Sequence, residues 1–436
     1  MKLLSWGRYP PLPQAAHAVA WRAELPALLA NVAQTCGTTL AYGEGRSYGD
    51  SCLAESGQVL SFRGLDRFLA ADWSSGILRA EAGITLEAII AVSLPRGWFP
   101  AVTPGTKYIT LGGAIANDVH GKNHHRQGAF GCHVRRFGLL RSDRGRLECA
   151  PDLEPELFAA TIGGLGLTGL IEWVEIQLMP VASGWIDGLV QRFDDLDGFF
   201  ALSAELDARH EFCVSWVDCA ARGKKAGRGI YMAGDFAAEN WPLPAPRRKW
   251  RFPFMPPVSL VNTWSLRAFN AIYWRKAPPK SRRAPAAYDA FFYPLDSLLD
   301  WNRLYGSKGF QQYQALIPER EAGDGIRAML TAISGSGQGS FLAVLKRCGG
   351  ALSPGVLSFP RPGVTLALDF PQTPYLEEQL FPRLDAIVRE AGGRLYPAKD
   401  AHMRGDDFRR AYPDWEKIEA LRDPSLLSCF WRRVTQ

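Results

Sequence analysis

Three glycine-rich loops in the first 180 residues constrain the fold of this chain more than any other feature. They are YGEGRSYGD (Tyr42–Asp50), TPGTKYITLGGAIANDVHGKNHH (Thr103–His125) and TIGGLGLTGLIEWVEIQLMPV (Thr161–Val181). Glycine lets the backbone approach another group closely and adopt conformations that other residues avoid. Because there are three such loops rather than one, we expect several turns of one domain to contact the same ligand.

Apolar runs between these loops predict strands at 38–42, 59–62, 77–82 and 171–178, and the spacing of Thr85–Leu94 predicts a helix with Thr85 as its N-cap. From about residue 183 the predicted strands and helices become longer. A chain of 436 residues with 47% hydrophobic and 22% charged residues is long enough for two globular domains.

The first loop resembles a dinucleotide fingerprint but does not match one. A Rossmann site requires G-x-G-x-x-G at the start of a helix, because the pyrophosphate lies on the helix N-terminus. Here the spacing is G-x-G-x-x-x-G, and the residues after Asp50 are a poor first helix. A loop that also carries Arg46, Ser47 and Tyr48 as donors is more typical of an anion-binding nest than of a plain turn.

The second loop and its continuation contain four of the seven histidines: His120, His124, His125 and His133. We expect no metal site there, because adjacent histidines diverge on a regular element and Lys122 would oppose a cation. The glycines suit a flat ligand such as a flavin ring, and a tight turn with hydrogen-bonded histidines is the alternative.

Cysteine usage and the N-terminus indicate a cytoplasmic protein. The eight cysteines form no C-x-x-C pair, which favours reduced thiols over disulfides. The apolar run near the start is too short for a signal peptide, and no apolar window of 18 residues predicts a transmembrane segment.

A basic-aromatic segment, residues 247–283, contains ten Lys/Arg, seven aromatic residues and no Asp or Glu. The wider stretch 242–283 shows no clear periodicity and predicts a long mobile excursion. We expect this segment to contact an anionic membrane surface, because Trp and Tyr prefer the headgroup zone and Lys/Arg meet anionic lipid. A solvated loop is the alternative, and no motif supports nucleic-acid binding.

Together with SWVD (215–218), WNRLYGSKGFQQYQ (301–314) and GGRLYPAKD (392–400), the three loops resemble the decaprenylphosphoryl-β-D-ribose 2-oxidase family. This family is part of the vanillyl-alcohol-oxidase, or PCMH-type, flavoprotein superfamily. The similarity extends from about residue 5 to about residue 425. It implies an α+β fold of two domains. The FAD-binding domain would comprise 1–183 completed by 394–436, and the substrate domain, 184–393, would contain an antiparallel sheet flanked by helices.

The resemblance also implies a cofactor, FAD, and the residues that hold it. Covalently flavinylated relatives place a histidine where this chain has Arg46, and a second attachment point, a cysteine near HGKNHH, is missing. We therefore expect non-covalent FAD. The implied cofactor-binding residues are Gly43, Gly45, Arg46, Ser47, Tyr48, Gly49, Thr106, Gly112, Gly113, Asn117, His120, Gly121, Asn123, His124, Ile171 and Tyr396.

The resemblance further implies catalytic residues, namely Lys399, Lys122 and His120. Either Lys399 or His120 is the expected base, and burial would lower the pKa of such a lysine. The implied substrate-binding residues are Trp216, Tyr293, Gln312, Gln314, Lys346, Thr365 and Ala367, and Gln312 and Gln314 flank Tyr313. Among them, Lys346 could neutralise a substrate phosphate. Mycobacterial members of the family carry a reactive cysteine at the position of Ala367 and an asparagine at the position of Thr365. Because the cysteine is missing, we expect this protein not to be captured covalently by nitroaromatic inhibitors. Hydride transfer does not need that thiol and should be retained.

The implied activity is oxidation of the 2-hydroxyl of a polyprenyl-phosphate-linked ribose to the 2-keto sugar. A separate short-chain reductase would then complete the epimerisation to arabinose, and the oxidase would be cytoplasmic or peripheral at the inner membrane. Two alternatives stay open. One is a soluble aldonolactone or sugar-alcohol oxidase, and the other is a non-catalytic flavin-binding protein at the membrane.

Overall fold

The computed structural model describes residues 2–239 and 241–436. Its strands are β1 (Lys2–Leu3), β2 (Gln14–Ala18), β3 (Leu40–Tyr42), β4 (Gln58–Ser61), β5 (Phe68–Asp72), β6 (Ile77–Glu81), β7 (Trp98–Pro100), β8 (Val134–Arg141), β9 (Gly145–Cys149), β10 (Leu170–Pro180), β11 (Trp185–Phe193), β12 (Phe212–Val217), β13 (Gly229–Phe236), β14 (Trp250–Arg251), β15 (Arg282–Ala287), β16 (Leu298–Leu299), β17 (Phe310–Pro318), β18 (Ala343–Cys348), β19 (Gly363–Pro371) and β20 (Arg394–Leu395).

The helices are α1 (Leu25–Cys36), α2 (Leu86–Ser93), α3 (Leu111–Ala116), α4 (His124–Gln127), α5 (Pro155–Thr161), α6 (Leu196–Leu206), α7 (Thr263–Lys276), α8 (Tyr288–Phe292), α9 (Ala322–Ser336), α10 (Phe381–Glu390), α11 (Gly405–Ala411), α12 (Trp415–Leu421) and α13 (Cys429–Thr435). Among the described residues, no helix combines the length and the apolar character that crossing a bilayer requires.

Two sheets form the N-terminal region. The first, in the order β1-β2-β4-β3, is mixed, since β4 runs parallel to β2 and β3. The second, in the order β5-β6-β10-β8-β9, is antiparallel, and β7 also pairs with β10. The predicted N-cap of α2 is present, because Thr85 Oγ1 accepts a hydrogen bond of 3.2 Å from the backbone N–H of Ala88. These elements share an apolar core and position the three glycine-rich loops.

The second region is built on an eight-stranded sheet in the order β15-β11-β13-β12-β18-β19-β17-β20. All of its neighbouring strands are antiparallel. Helices α6, α9 and α10 pack on one face, where alternate residues such as Tyr313, Leu345 and Leu366 form the core. The residues between them along each strand point to the opposite face of the sheet. This combination of helices and antiparallel sheets confirms the predicted α+β class.

The C-terminal segment returns to the N-terminal region. β20 pairs with β17 at the edge of the large sheet, and α13 then packs beside the first glycine-rich loop. The backbone N–H of Cys429 donates to Leu53 O at 2.8 Å. The division into 1–183 plus 394–436 and 184–393 stays a prediction.

The stretch 242–283 is more regular than its composition predicts. Helix α7 begins at a capping box in which Asn262 accepts from the N–H groups of Trp264 and Ser265, and Ser265 Oγ accepts from the N–H of Asn262. Its buried residues Leu266 and Asn270 attach it to the sheet, with Asn270 Nδ2 donating to Asp218 Oδ1 at 2.8 Å. The absence of a clear periodicity in the sequence therefore did not reveal this helix, and the mobility of the stretch stays a prediction.

Candidate active site

A cavity of about 400 Å³ lies between the glycine-rich loops and the face of the large sheet opposite α6, α9 and α10. This volume is in the range of cofactor and substrate sites. Most of the expected site residues line it: Gly43, Gly45, Arg46, Ser47, Tyr48, Thr106, Gly112, Gly113, Asn117, His120, Gly121, Lys122, Ile171, Gln312, Gln314, Lys346, Thr365, Ala367, Tyr396 and Lys399.

Three of the residues expected to hold the cofactor lie behind the cavity wall. Gly49 packs against the backbone of Asp400. Asn123 is buried, and its Nδ2 donates to Ala101 O at 2.8 Å. His124 is buried at the start of α4, with its ring centroid 6.3 Å from that of His120, and does not line the cavity. They support the wall and do not line it.

Three residues placed near the substrate also miss the cavity. Trp216 Nε1 donates to Phe341 O at 2.9 Å, beneath α7. Tyr293 is fully buried, and its hydroxyl is 2.6 Å from Thr103 Oγ1. Tyr313 points to the helical face of the sheet, since its neighbours Gln312 and Gln314 point into the cavity.

Sequence reasoning missed Asp369, which faces the cavity from β19. Strand alternation would have found it, because Thr365, Ala367 and Asp369 are two residues apart and share one face. Gln312 Nε2 donates to Asp369 Oδ1 at 2.6 Å, whereas Oδ2 is buried without a partner. Burial raises the pKa of this carboxyl to about 7.

The first loop offers an unused donor to the cavity. Gly45 has a φ of +63°, which a residue with a side chain rarely adopts. The guanidinium of Arg46 lies 4.1 Å from the centroid of the Trp6 ring, and its Nε is buried without a hydrogen-bond partner. An orphaned buried donor in a glycine-rich loop fits an anionic group such as a pyrophosphate.

Lys346 orients His120 at the centre of the cavity wall. Lys346 Nζ lies 2.6 Å from His120 Nδ1 and also donates to Gly121 O. Burial, reinforced by the charge of Lys346, holds the pKa of His120 well below its usual value. A neutral imidazole whose Nδ1 already has a donor is a weak proton acceptor.

Lys399 has the properties of a base. Burial lowers the pKa of Lys399 to about 8, although Asp369 opposes this shift. Its ammonium lies 4.0 Å from the centroid of the Tyr48 ring. The pKa of Lys122 is also lowered to about 8, mainly by burial and to a smaller extent by the charge of Lys346. Lys122 Nζ lies 3.5 Å from Phe292 O.

A half-buried arginine, Arg433, holds Lys399 next to the first loop. Arg433 Nη2, from α13, donates to Asp50 Oδ1 at 2.8 Å and to Asp400 Oδ2 at 2.9 Å. Asp50 ends the loop, and Asp400 follows Lys399. The backbone N–H of Tyr48 also donates to Ala398 O at 3.1 Å. The loop and the base candidate are thus fixed relative to each other.

Comparison with known proteins agrees with this geometry. A family described as an FAD binding domain matches residues 13–149. The decaprenylphosphoryl-beta-D-ribose oxidase of Mycolicibacterium smegmatis is 33% identical over 443 residues, covering 97% of this chain and 94% of that protein. The chain belongs to the decaprenylphosphoryl-β-D-ribose oxidase family.

Two further relatives mark the extent of the similarity. An uncharacterized protein in the mprA 5' region of Streptomyces coelicolor is 33% identical to this family member over 361 residues, which is 78% of the chain and 96% of that protein. Cytokinin dehydrogenase 4 of Arabidopsis thaliana is 27% identical over 145 residues, covering 32% of the chain and 27% of that protein. The predictions of FAD as cofactor and of an oxidoreductase are confirmed.

Non-covalent attachment of FAD is our first testable prediction. Arg46 occupies the position at which covalently flavinylated relatives have a histidine. Cys52 lines the cavity, but burial raises the pKa of its thiol to about 12, so it is a poor nucleophile. Acid precipitation should therefore release all of the flavin into the supernatant, as measured by its absorbance. Flavin that stays with the precipitated protein would contradict the prediction.

Proposed function

We propose that the protein oxidises the 2-hydroxyl of a polyprenyl-phosphate-linked ribose to the 2-keto sugar. The observation that carries this proposal is full-length similarity to a decaprenylphosphoryl-beta-D-ribose oxidase, combined with a cavity in which Lys399 and the flavin loops converge. Bound FAD supplies the hydride acceptor for the hydrogen on the carbinol carbon.

Lys399 is the proposed base. It takes the proton of the hydroxyl while the hydride leaves the carbon, so the alcohol loses two electrons and two hydrogens overall. His120 is the less suitable candidate, because Lys346 already occupies Nδ1. Asp369, with a pKa of about 7, lies where it can accept a hydrogen bond from the sugar or receive a proton from Lys399.

Lys122 is the better candidate for the substrate phosphate. Lys346, the expected phosphate contact, uses its ammonium on His120 Nδ1 and Gly121 O. Lys122 Nζ lies 3.5 Å from Phe292 O and 6.0 Å from the centroid of the Phe291 ring, and no carboxylate among the described residues pairs with it, so it can serve as a point charge for an anion. We assign Lys346 to the orientation of His120 instead.

The basic-aromatic segment supports a peripheral position on an anionic membrane. Trp264 is 82% exposed, and Val258 is 69% exposed. Ile272 and Phe254 are exposed as well, among the cations of this segment. Exposed apolar side chains surrounded by Lys and Arg favour the headgroup zone. Such a position would let the sugar enter the cavity while the prenyl chain stays in the bilayer, with the enzyme on the cytoplasmic side.

Replacement of Phe254, Trp264 and Ile272 by serine should reduce sedimentation with phosphatidylglycerol vesicles. Loss of three exposed apolar contacts predicts at least about a tenfold weaker partition coefficient. The matched control replaces Trp21, Leu153 and Leu352, which are also exposed but lie outside the segment. Equal sedimentation of the two triple variants would contradict a membrane role for the segment.

A second enzyme would complete the reaction sequence. Epimerisation to arabinose requires a hydride to be returned to the keto carbon from the other face, which a nicotinamide-dependent short-chain reductase supplies. We therefore propose such a reductase as the functional partner that consumes the 2-keto product.

Anaerobic bleaching of the flavin tests the proposed substrate. A polyprenyl-phosphoryl ribose should reduce the enzyme-bound flavin, whereas a free aldonolactone should not. Bleaching by the free lactone alone would favour a soluble aldonolactone or sugar-alcohol oxidase. The absence of bleaching with every lipid-linked sugar would favour a non-catalytic flavin-binding protein.

A further inference from the structure

A second cavity of about 150 Å³ lies on the helical side of the large sheet, between α10, β20 and α11. The flavin cavity lies on the opposite side, as the alternation of Gln312, Tyr313 and Gln314 shows. This smaller cavity is lined by four arginines and two aspartates: Arg361, Arg389, Arg394, Arg410, Asp385 and Asp407. It takes no part in the proposed oxidation.

Two of these arginines have no acidic partner. Arg389 and Arg410 both pair with Asp407, at 2.8 and 3.3 Å. Within residues 2–239 and 241–436, neither Arg361 nor Arg394 forms an ion pair with a carboxylate. Each donates to one backbone carbonyl, Arg361 Nη2 to Gly392 O at 2.6 Å and Arg394 Nη1 to Ser358 O at 3.1 Å.

One donor of each arginine in this pair is buried and unsatisfied. The Nε atoms of Arg361 and Arg394 are both buried without a hydrogen-bond partner. Among the described residues, Asp385 forms an ion pair with His402 and not with either arginine, and its Oδ1 accepts from Tyr313 at 2.8 Å and lies 3.2 Å from His402 Nε2. Burial and the neighbouring charge of Arg394 lower the pKa of Arg361. Two like charges with orphaned donors are costly unless an anion lies between them.

We propose that this cavity binds a phosphate-type oxyanion between Arg361 and Arg394. Guanidinium groups match such anions because their planar N–H pairs donate two parallel hydrogen bonds to two oxygens. The volume accommodates inorganic phosphate or the phosphate of a small monoester. The site is independent of the proposed substrate, because it is separated from the flavin cavity by the sheet.

Isothermal titration of the FAD-loaded enzyme with sodium phosphate tests the proposal, with sodium chloride at equal ionic strength as the blank. We expect saturable binding of phosphate to the wild type. The Kd should be at least about tenfold higher for Arg361→Gln and for Arg394→Gln, because each variant loses one charge-assisted contact. Arg320→Gln is the matched control, since Arg320 is 86% exposed and pairs with Glu321. Glycerol phosphate in place of inorganic phosphate distinguishes an ester ligand from the free ion by its lower Kd.

Thermal unfolding separates anion binding from a structural role of the arginines. Without phosphate, Arg361→Gln should unfold at the same or a higher temperature than the wild type, because it removes a like-charge contact. With phosphate, only the wild type and Arg320→Gln should gain stability. Unchanged phosphate affinity in both pocket variants, or no phosphate binding to the wild type, would overturn the proposal.

Discussion

Replacement of Lys399 by methionine should lower the rate constant for flavin reduction by about 10²- to 10⁴-fold, the usual contribution of a general base. Methionine keeps the length of the side chain but cannot accept the proton. Burial lowers the pKa of Lys399 to about 8, so its neutral form increases as the pH rises through that value. Stopped-flow reduction of the wild type should therefore accelerate with pH, be half-maximal near pH 8 and level off above it.

Two control variants isolate Lys399 from its neighbours. Lys122→Met should weaken substrate binding and yet keep the rise in rate with pH, although the pKa of Lys122 is also about 8. Lys417→Met, at an exposed ion pair with Asp414, should change nothing. A fall of less than tenfold in Lys399→Met, or the loss of the pH dependence in Lys122→Met alone, would contradict the assignment.

Replacement of Gly49 by alanine should abolish tight FAD binding. The new Cβ would lie 1.7 Å from Asp400 O, a backbone atom that has no flexible side chain to move aside. Overpacking of this kind costs about 1–3 kcal/mol, and here it separates the first loop from the segment that carries Lys399. Purified Gly49→Ala should therefore contain little flavin, as measured by its absorbance ratio, and should unfold at a lower temperature.

A glycine in open space provides the matched control for this variant. Gly323 is in α9, and a Cβ there would contact nothing within 4 Å. Gly323→Ala should retain FAD and unfold at the same or a higher temperature, because alanine favours a helix. Normal FAD content in Gly49→Ala would contradict the role of this close approach.

The cofactor loops were predictable because their signal is local. Glycines, donors and spacing within YGEGRSYGD are contiguous in sequence, and the structure places six of its residues at the cavity. The N-cap Thr85 and the four strands predicted between the loops, which correspond to β3, β4, β6 and β10, were found for the same reason. Asp369 could also have been found from its two-residue spacing to Ala367 and Thr365.

Other features depend on contacts that single segments do not reveal. Trp216 belongs to the family motif SWVD but lies beneath α7. The composition of the stretch 242–283 did not predict this helix. The link from Arg433 to Asp50 joins residues that are 383 positions apart in the sequence. Likewise, the pairing of Lys346 with His120, on which the proposal of Lys399 as the base rests, appears only in the folded chain.

The most direct test is anaerobic stopped-flow reduction of the flavin by polyprenyl-phosphoryl ribose labelled with deuterium at C2. Removal of that hydrogen as hydride predicts a slower reduction with the C2 label, an unchanged rate with a C3 label, and a 2-keto product by mass spectrometry. An equal rate for C2-labelled and unlabelled substrate in a single turnover, together with oxidation at another carbon, would contradict the account.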